Sequence, residues 1–242
     1  MPNYLTFQVY GPFAAFGSIA VGEIRGISSS PAKSAILGLV AGALGVDRFD
    51  DQVHRNLAEA YTLAVRMDAP GCILRDFHTI QSSRPGKGVV PNTRREELES
   101  GAAINTITSR RDYLNDAACM VCLKANYSPP YTLEDLVLAL DQPVYMPYIG
   151  RKSCPLGLPL APMIIEGENF EDVLMQRPPD REFLKSIISS QVAEKKIRVR
   201  FFWEDEQGIS SVHAVPRRDV PVNKKGWQFA ERLELQGDIE LP

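Results

Sequence analysis

Cys72-Ile73-Leu74-Arg75-Asp76-Phe77-His78-Thr79-Ile80 runs straight into Gln81-Ser82-Ser83-Arg84-Pro85-Gly86-Lys87-Gly88, and the chain is expected to regain order near Tyr113-Leu114-Asn115-Asp116-Ala117-Ala118. Both flanks have the apolar content of strands, and the polar stretch between them reads as an insert that projects from the body. From Ile80 to Arg111 six basic residues (Arg84, Lys87, Arg94, Arg95, Arg110, Arg111) outnumber the three acidic ones (Glu96, Glu97, Glu99), although the whole chain carries a formal charge of -3. Positive charge is thus concentrated where the backbone leaves the core. Basic loops of this kind meet polyanions, because neutralising phosphates releases counterions. A solvated surface loop is the competing reading of the same charges.

The 242 residues are enough for one large domain or two small ones with a core that needs no staples. The longest apolar run, Ala35 to Val46, is interrupted by glycines and falls short of the roughly 20 residues a membrane helix needs. No signal peptide is read, because Tyr4 to Tyr10 has the pattern of a strand, so a cytoplasmic protein without membrane contact is expected. Four cysteines fit a reducing compartment. Cys119 and Cys122 form a C-x-x-C, but a strand sends residues three apart to opposite faces, so core packing is expected rather than a metal or redox site.

Working outward, Leu5, Phe7 and Val9 alternate with polar neighbours, and Gly11-Pro12 is expected to end that first strand. Ser30 is placed as N-cap and Pro31 as first residue of a helix reaching Leu44, with Gly45 after it. Gly38 and Gly42, one turn apart, would let this helix lie close on a sheet. Ala32-Lys33-Ser34 has the end of a phosphate-binding loop without its glycines. What remains is a helix start with free N–H groups and Lys33, an arrangement that favours an anion. A helix over Asp51 to Ala60, a strand over Tyr61 to Asp68, the strand to Ile80, a strand over Tyr113 to Lys124 and a capped helix from Thr132 to Leu140 complete the order strand, helix, strand, strand, strand, helix. That order is close to an α+β, ferredoxin-like plan, in which helices cover one sheet face and leave the other for RNA. A boundary is placed at 143/144. Residues 144 to 242 read as a smaller α+β extension, with helices near Phe170 to Gln176 and Arg181 to Ser190. Strands are expected at Ile197 to Trp203, Ile209 to Ala214 and Gly226 to Leu235, the first two joined as a hairpin through Glu204 to Gly208.

None of the three histidines, His54, His78 and His213, has metal or triad spacing, and no catalytic, metal or cofactor motif is present. His78 stands at the root of the insert, where a metal-free ribonuclease would want a base. A histidine hydrogen-bonded at a strand end explains it as well.

Five blocks, in order, resemble one family: Tyr4-Leu5 to Gly17 with Gly11-Pro12, Pro31-Ala32-Lys33-Ser34 to Leu39, Asp76-Phe77-His78-Thr79, Tyr113-Leu114-Asn115-Asp116-Ala117, and Tyr148-Ile149-Gly150-Arg151-Lys152-Ser153-Cys154-Pro155-Leu156. They are similar to the CasD-type subunits of type I-E CRISPR Cascade, members of the RAMP superfamily. The resemblance implies a non-catalytic subunit of a surveillance complex for antiviral defence, with a ferredoxin-like body gripping the 5′ handle of the guide RNA. An inserted β-hairpin thumb, matching residues 81 to 111, would enter the junction of handle and spacer. Backbone and large subunits would flank the protein, and target DNA would be recognised through guide pairing. Carried over by position, Arg25, Lys33, Ser34, Thr108, Arg110, Arg111, Arg151 and Lys152 would contact RNA; Arg84 and Lys87, in the thumb tip that has no positional match, join them as cations of the insert. Type I-C relatives look similar and cut precursor guide RNA themselves, which keeps an endoribonuclease based on His78 as the alternative.

Overall fold

The computed structural model describes residues 1–17, 20, 22–83, 91–101, 103–180, 182–183, 186, 197–204, 213–223 and 226–241. Its frame is an antiparallel sheet. Strand β1 (Asn3–Ala14) pairs with β5 (Ile104–Ala125), which pairs with β3 (Tyr61–Ala69). Strand β6 (Met163–Glu166) adds outside β1. On the other side β7 (Ile197–Trp203) adds to β3, followed by β9 (Gln228–Leu241) and β8 (His213–Asn223). Two strands lie off this path, β2 (Ile24–Arg25) and β4 (Cys72–Ser83), and both pair with β5.

The central strands are apolar on both sides, because both sides are covered. Leu5, Phe7, Val9, Leu63, Val65, Met67, Cys119 and Val121 point into the larger core, beneath helices α1 (Lys33–Ala43), α2 (Asp51–Ala60) and α4 (Leu133–Asp141). Tyr4, Ala64, Met120, Cys122, Phe201 and Trp203 point the other way, against Phe170, Val173 and Leu174 of α5 (Phe170–Met175). Cys119 and Cys122 therefore fall into different cores, as strand parity requires. The expected bare face for RNA is not what forms around these strands: α5 closes it. Arg66, fully buried there, binds Asp68 through Nε–Oδ1 at 2.5 Å and donates to the Leu174 carbonyl. No helix among the described residues is long and apolar enough to cross a membrane.

Several local expectations change. Strand β1 continues past Gly11-Pro12 to pair Phe13 with Asn115 and Ala14 with Leu114. Pro12 does no harm there, since the register skips it where Asp116 bends β5 with φ +55°. Ser30 is not the cap of α1. Ala32 occupies that position with no side-chain cap, and Ser30 Oγ instead accepts from Arg217 at 2.7 Å. Gly45 does terminate the helix, at φ +76°. Gly42, however, faces open space, and α1 packs through Ile36, Leu37, Val40 and Ala41. The capping box of Thr132 with Asp135 forms as read. In the C-terminal part β7 pairs with β3 and β9, and β8 with β9; most of the expected strand Ile209 to Ala214 and of its turn lies outside the described residues, and among those described β7 and β8 are not paired. Most of the helix expected at Arg181 to Ser190 lies outside the described residues.

Candidate nucleic-acid interface

The insert begins and ends closer to the body than its charge pattern implies. Strands β4 and β5 pair without interruption from Cys72↔Asn115 to Ser83↔Ile104. At about 3.4 Å per residue this is an arm of roughly 35–40 Å. Strand β5 therefore begins at Ile104, well before Tyr113. Beyond the strands α3 (Arg94–Glu99) folds back, its Glu97 carboxylate accepting from the Ser83 N–H and its Arg94 donating to the Gln81 carbonyl. Arg84 and Lys87 lie outside the described residues.

Two left-handed residues set the arm's root. Gly71, at φ +71°, turns β3 into β4 so tightly that a Cβ would stand 2.6 Å from the Asn115 carbonyl oxygen. Asp116 bends β5 opposite it and receives the Tyr10 hydroxyl at 3.0 Å. Burial, and then the Asp116 carboxylate, push the Tyr10 phenol up.

Strand pairing gathers arginines at this root. Strand β2 runs parallel to β5, placing Ile24 beside Arg110 and Arg25 beside Arg111, and the Arg110 N–H donates to the Glu23 carbonyl at 3.0 Å. Across the arm, Arg110 faces Phe77 and Arg111 faces Asp76. Adjacent strand residues point to opposite sides, so Arg110 shares a face with Phe77, Thr79 and Thr108, while Arg111 shares the other with Arg25, His78 and Tyr113. The loop carrying the last motif closes onto the same place. Ile149 N–H donates to Cys154 O, and Ala15 N–H to Ile149 O; Gly150 is required, since a Cβ would collide with Ala15. That loop holds Arg151 with its guanidinium 4.7 Å from the Tyr113 ring centre and Nη1 donating to the Asp112 carbonyl at 3.1 Å. Lys152 is exposed beside it.

Asp112 is the carboxylate these cations share. Arg75 binds it through Nε–Oδ1 at 3.0 Å. The Arg75 hydrogen bond, with added attraction from Arg110 and Arg151, overcomes partial burial and holds the Asp112 carboxyl below the usual range. Five arginines (Arg25, Arg75, Arg110, Arg111, Arg151) and Lys152 thus stand at the root against Glu23, Asp76, Asp112 and Asp116, so cations outnumber carboxylates there. Arg110 Nε has no hydrogen-bond partner among the described residues. Sequence alone does not single out Arg75, which lies before Ile80 within the strand that flanks the insert. Only its cross-strand register to Asp112 brings it in.

A match to the family model of CRISPR-associated Cas5 proteins spans residues 4–233. The chain belongs to the Cas5 family. It is 32% identical over 239 residues to the CRISPR system Cascade subunit CasD of Escherichia coli (strain K12), an alignment covering 96% of this chain and 100% of that relative. Two solved structures share its fold across 99% of its length. One is a CRISPR RNA-guided surveillance complex (TM-score 0.63, 23% identity, 91% of that chain), the other a Cas protein crystal structure (TM-score 0.58, 24% identity, 95% of that chain).

In this Cas5 chain Lys33 does not stand where a phosphate would reach it. The residue is buried, its Nζ lies 2.8 Å from Glu204 Oε2, and its backbone N–H donates to Asp219 Oδ2 at 2.8 Å. The helix start favours an anion, as its dipole demands, but the chain supplies that anion itself. Ser34, partly exposed on the same turn, loses the anion site that gave it a role. His78 Nε2 lies 2.8 Å from Asp76 Oδ2 on the face of Arg111. Among the described residues no group of three or more His, Cys, Asp or Glu side chains is placed to hold a metal.

Proposed function

We propose that this chain is a subunit of a type I-E CRISPR Cascade complex that binds and caps the 5′ handle of the guide RNA without cutting it. The observation that carries this reading is the gathering of five arginines at the root of an arm that leaves the body. The identity of nearly a third to a Cascade subunit over its whole length supports the complex it joins. In this reading residues 1–143 form a ferredoxin-like body with the β4–β5 arm as its inserted thumb, and 144–242 are the extension. Arg25, Thr108, Arg110, Arg111, Arg151 and Lys152 meet the handle, with Arg84 and Lys87 nearer the thumb tip. Lys33 and Ser34 are left out. The Arg151 guanidinium beside Tyr113 suits an unstacked base as well as a phosphate. Neighbouring backbone and large subunits complete a cytoplasmic particle whose target DNA is read by guide pairing.

The test is to titrate the purified chain with its repeat-derived handle RNA at several salt concentrations, without metal, and to analyse the RNA afterwards. Binding should weaken with salt by about 0.7 in log–log slope per phosphate contacted, and the RNA should be recovered whole. The His78–Asp76 pair keeps a second reading in view, metal-independent cleavage with His78 as base. A discrete product lost in His78→Ala would replace the first reading by the second.

A further inference from the structure

In an antiparallel pair, residues alternate between those whose N–H and C=O point at the partner strand and those whose groups point away. Three hydrogen bonds fix this alternation along the arm. The Arg110 N–H reaches Glu23 O on the side of β5 remote from β4, so Arg110 and its cross-strand neighbour Phe77 both turn their backbone groups outward. At the far end the Ser83 N–H meets Glu97 and the Gln81 carbonyl meets Arg94, two bonds that independently give the same parity. The register between β4 and β5 has no shift, so Ile73, Arg75, Phe77 and Thr79 all direct an N–H and a C=O away from β5. Strand β2 covers the outer edge of β5, and α3 covers β4 at Gln81 and Ser83. Between Cys72 and Ile80 no strand among the described residues covers β4.

Open edges are ordinarily blunted by proline, bulges or free charge. This one has neither proline nor bulge, Arg75 is paired with Asp112, and Asp76 stands across the arm from Arg111 with His78 Nε2 2.8 Å away. Its apolar side chains are bare on both faces: Ile73 and Phe77 are 67% and 68% exposed on one, Leu74 and Ile80 37% and 44% on the other. We propose that the β4 edge, Ile73 to Thr79, is a docking site for an extended segment of a protein partner, which adds to the arm as a further strand. Alternating donors and acceptors in one line are complementary to another peptide backbone. A phosphodiester backbone offers chiefly acceptors and would leave the carbonyls of this row unmet. The bare apolar side chains call for a segment with apolar residues at alternate positions. The arginine-bearing faces of the arm stay open beside it, so RNA and peptide would use different sides of one element.

The choice of partner, a neighbouring subunit, rests on the proposed membership in a Cascade complex. Hydrogen exchange tests the edge itself. It should be measured on the isolated chain, on the chain with its handle RNA, and on the chain within the particle purified with its own subunits and guide RNA. Amides of Leu74, Asp76, His78 and Ile80 should be protected in all three, through bonding to β5. Those of Ile73, Arg75, Phe77 and Thr79 should exchange fast in the first two samples and slow by at least about tenfold in the particle. Thr79→Pro removes one outward donor and spares the β4–β5 ladder, so it should keep the alternate protection yet reduce recovery of the particle. Fast outward amides in the intact particle would overturn the proposal, and so would their protection by RNA alone or by raising the concentration of the isolated chain, which would mean self-pairing. Failure of the chain to enter any particle would instead count against the function proposed above.

Discussion

Lys33 occupies the first turn of a helix, where a cation would be expected to greet a phosphate, and it is committed to Glu204. Three cations (Lys33, Arg217, Arg232) and three carboxylates (Glu204, Asp219, Glu234) interlock here, with Arg232 Nε 2.7 Å from Asp219 and Arg217 Nη1 2.7 Å from Glu234. Burial works against the Arg232 charge, and its bonds to Asp219, with Glu204 and Glu234 nearby, more than offset that and raise its pKa. Removing one member strands a buried charge. Lys33→Ala should therefore lose about 3–5 kcal/mol in chemical denaturation. Pairing Lys33→Met with Glu204→Gln should recover part of it. If Lys33→Ala left stability unchanged and weakened RNA binding instead, the original phosphate reading would return. Gly71 is a second residue whose role is geometric. Gly71→Ala sets a Cβ against the Asn115 carbonyl at a left-handed φ, and should cost about 2 kcal/mol or more in the same assay.

At the scale of the element, the β4–β5 arm separates two neighbours that the sequence presents as a pair. Arg110 and Arg111 lie on opposite faces, so Arg110→Glu and Arg111→Glu should weaken RNA binding by different amounts. Equal losses would mean that RNA senses only net charge. Asp112 adds a pH dependence. Its folded pKa is lowered, by Arg75 above all, so its contribution is complete above the unfolded value of about 3.9 and disappears as pH falls through the folded one. Glu97, lowered by the Ser83 N–H and then by Arg94, acts in the same direction at the far end. Arm protection against proteolysis by an acid-tolerant protease should be flat from pH 7 to about 5 and fall below about 4. Asp112→Asn should lack part of that acid transition. A projecting basic insert was legible in composition and alternation, as were α2, β3, α5 and the Thr132 cap; its departure point was not, because the arm leaves the body at Cys72 and Asn115, beside the left-handed Gly71 and Asp116, rather than at Ile80 and Arg111. What was not legible follows from non-local pairing. Arg75 becomes part of the site only through a register to Asp112 thirty-seven positions away, and Arg25 only because β2 docks beside β5. Lys33 left it because Glu204 and Asp219 arrive from strands far along the chain.

For the whole molecule the same long-range pairing makes the C-terminal stretch part of the fold of the N-terminal one. Strand β7 covers the edge of β3 from Ala64↔Trp203 to Met67↔Arg200, and β6 covers β1. Helix α5 shields Tyr4, Ala64, Met120 and Cys122, and Glu204 and Asp219 satisfy the start of α1. A chain ending at residue 143 would expose all of these at once: an open β3 edge, an apolar sheet face and the unpaired ammonium of Lys33. The cost is compound, because an uncovered edge and an uncovered apolar face both template aggregation while the stranded charge weakens the packing that would resist it. Residues 1–143 expressed alone should be insoluble or collapse without a cooperative thermal transition, and co-expression of 144–242 as a separate chain should restore both solubility and the transition. A soluble 1–143 fragment that melted cooperatively and bound handle RNA would show that the sheet's first half stands by itself, and that the contacts from β6, α5 and β7 are additions to a body already complete.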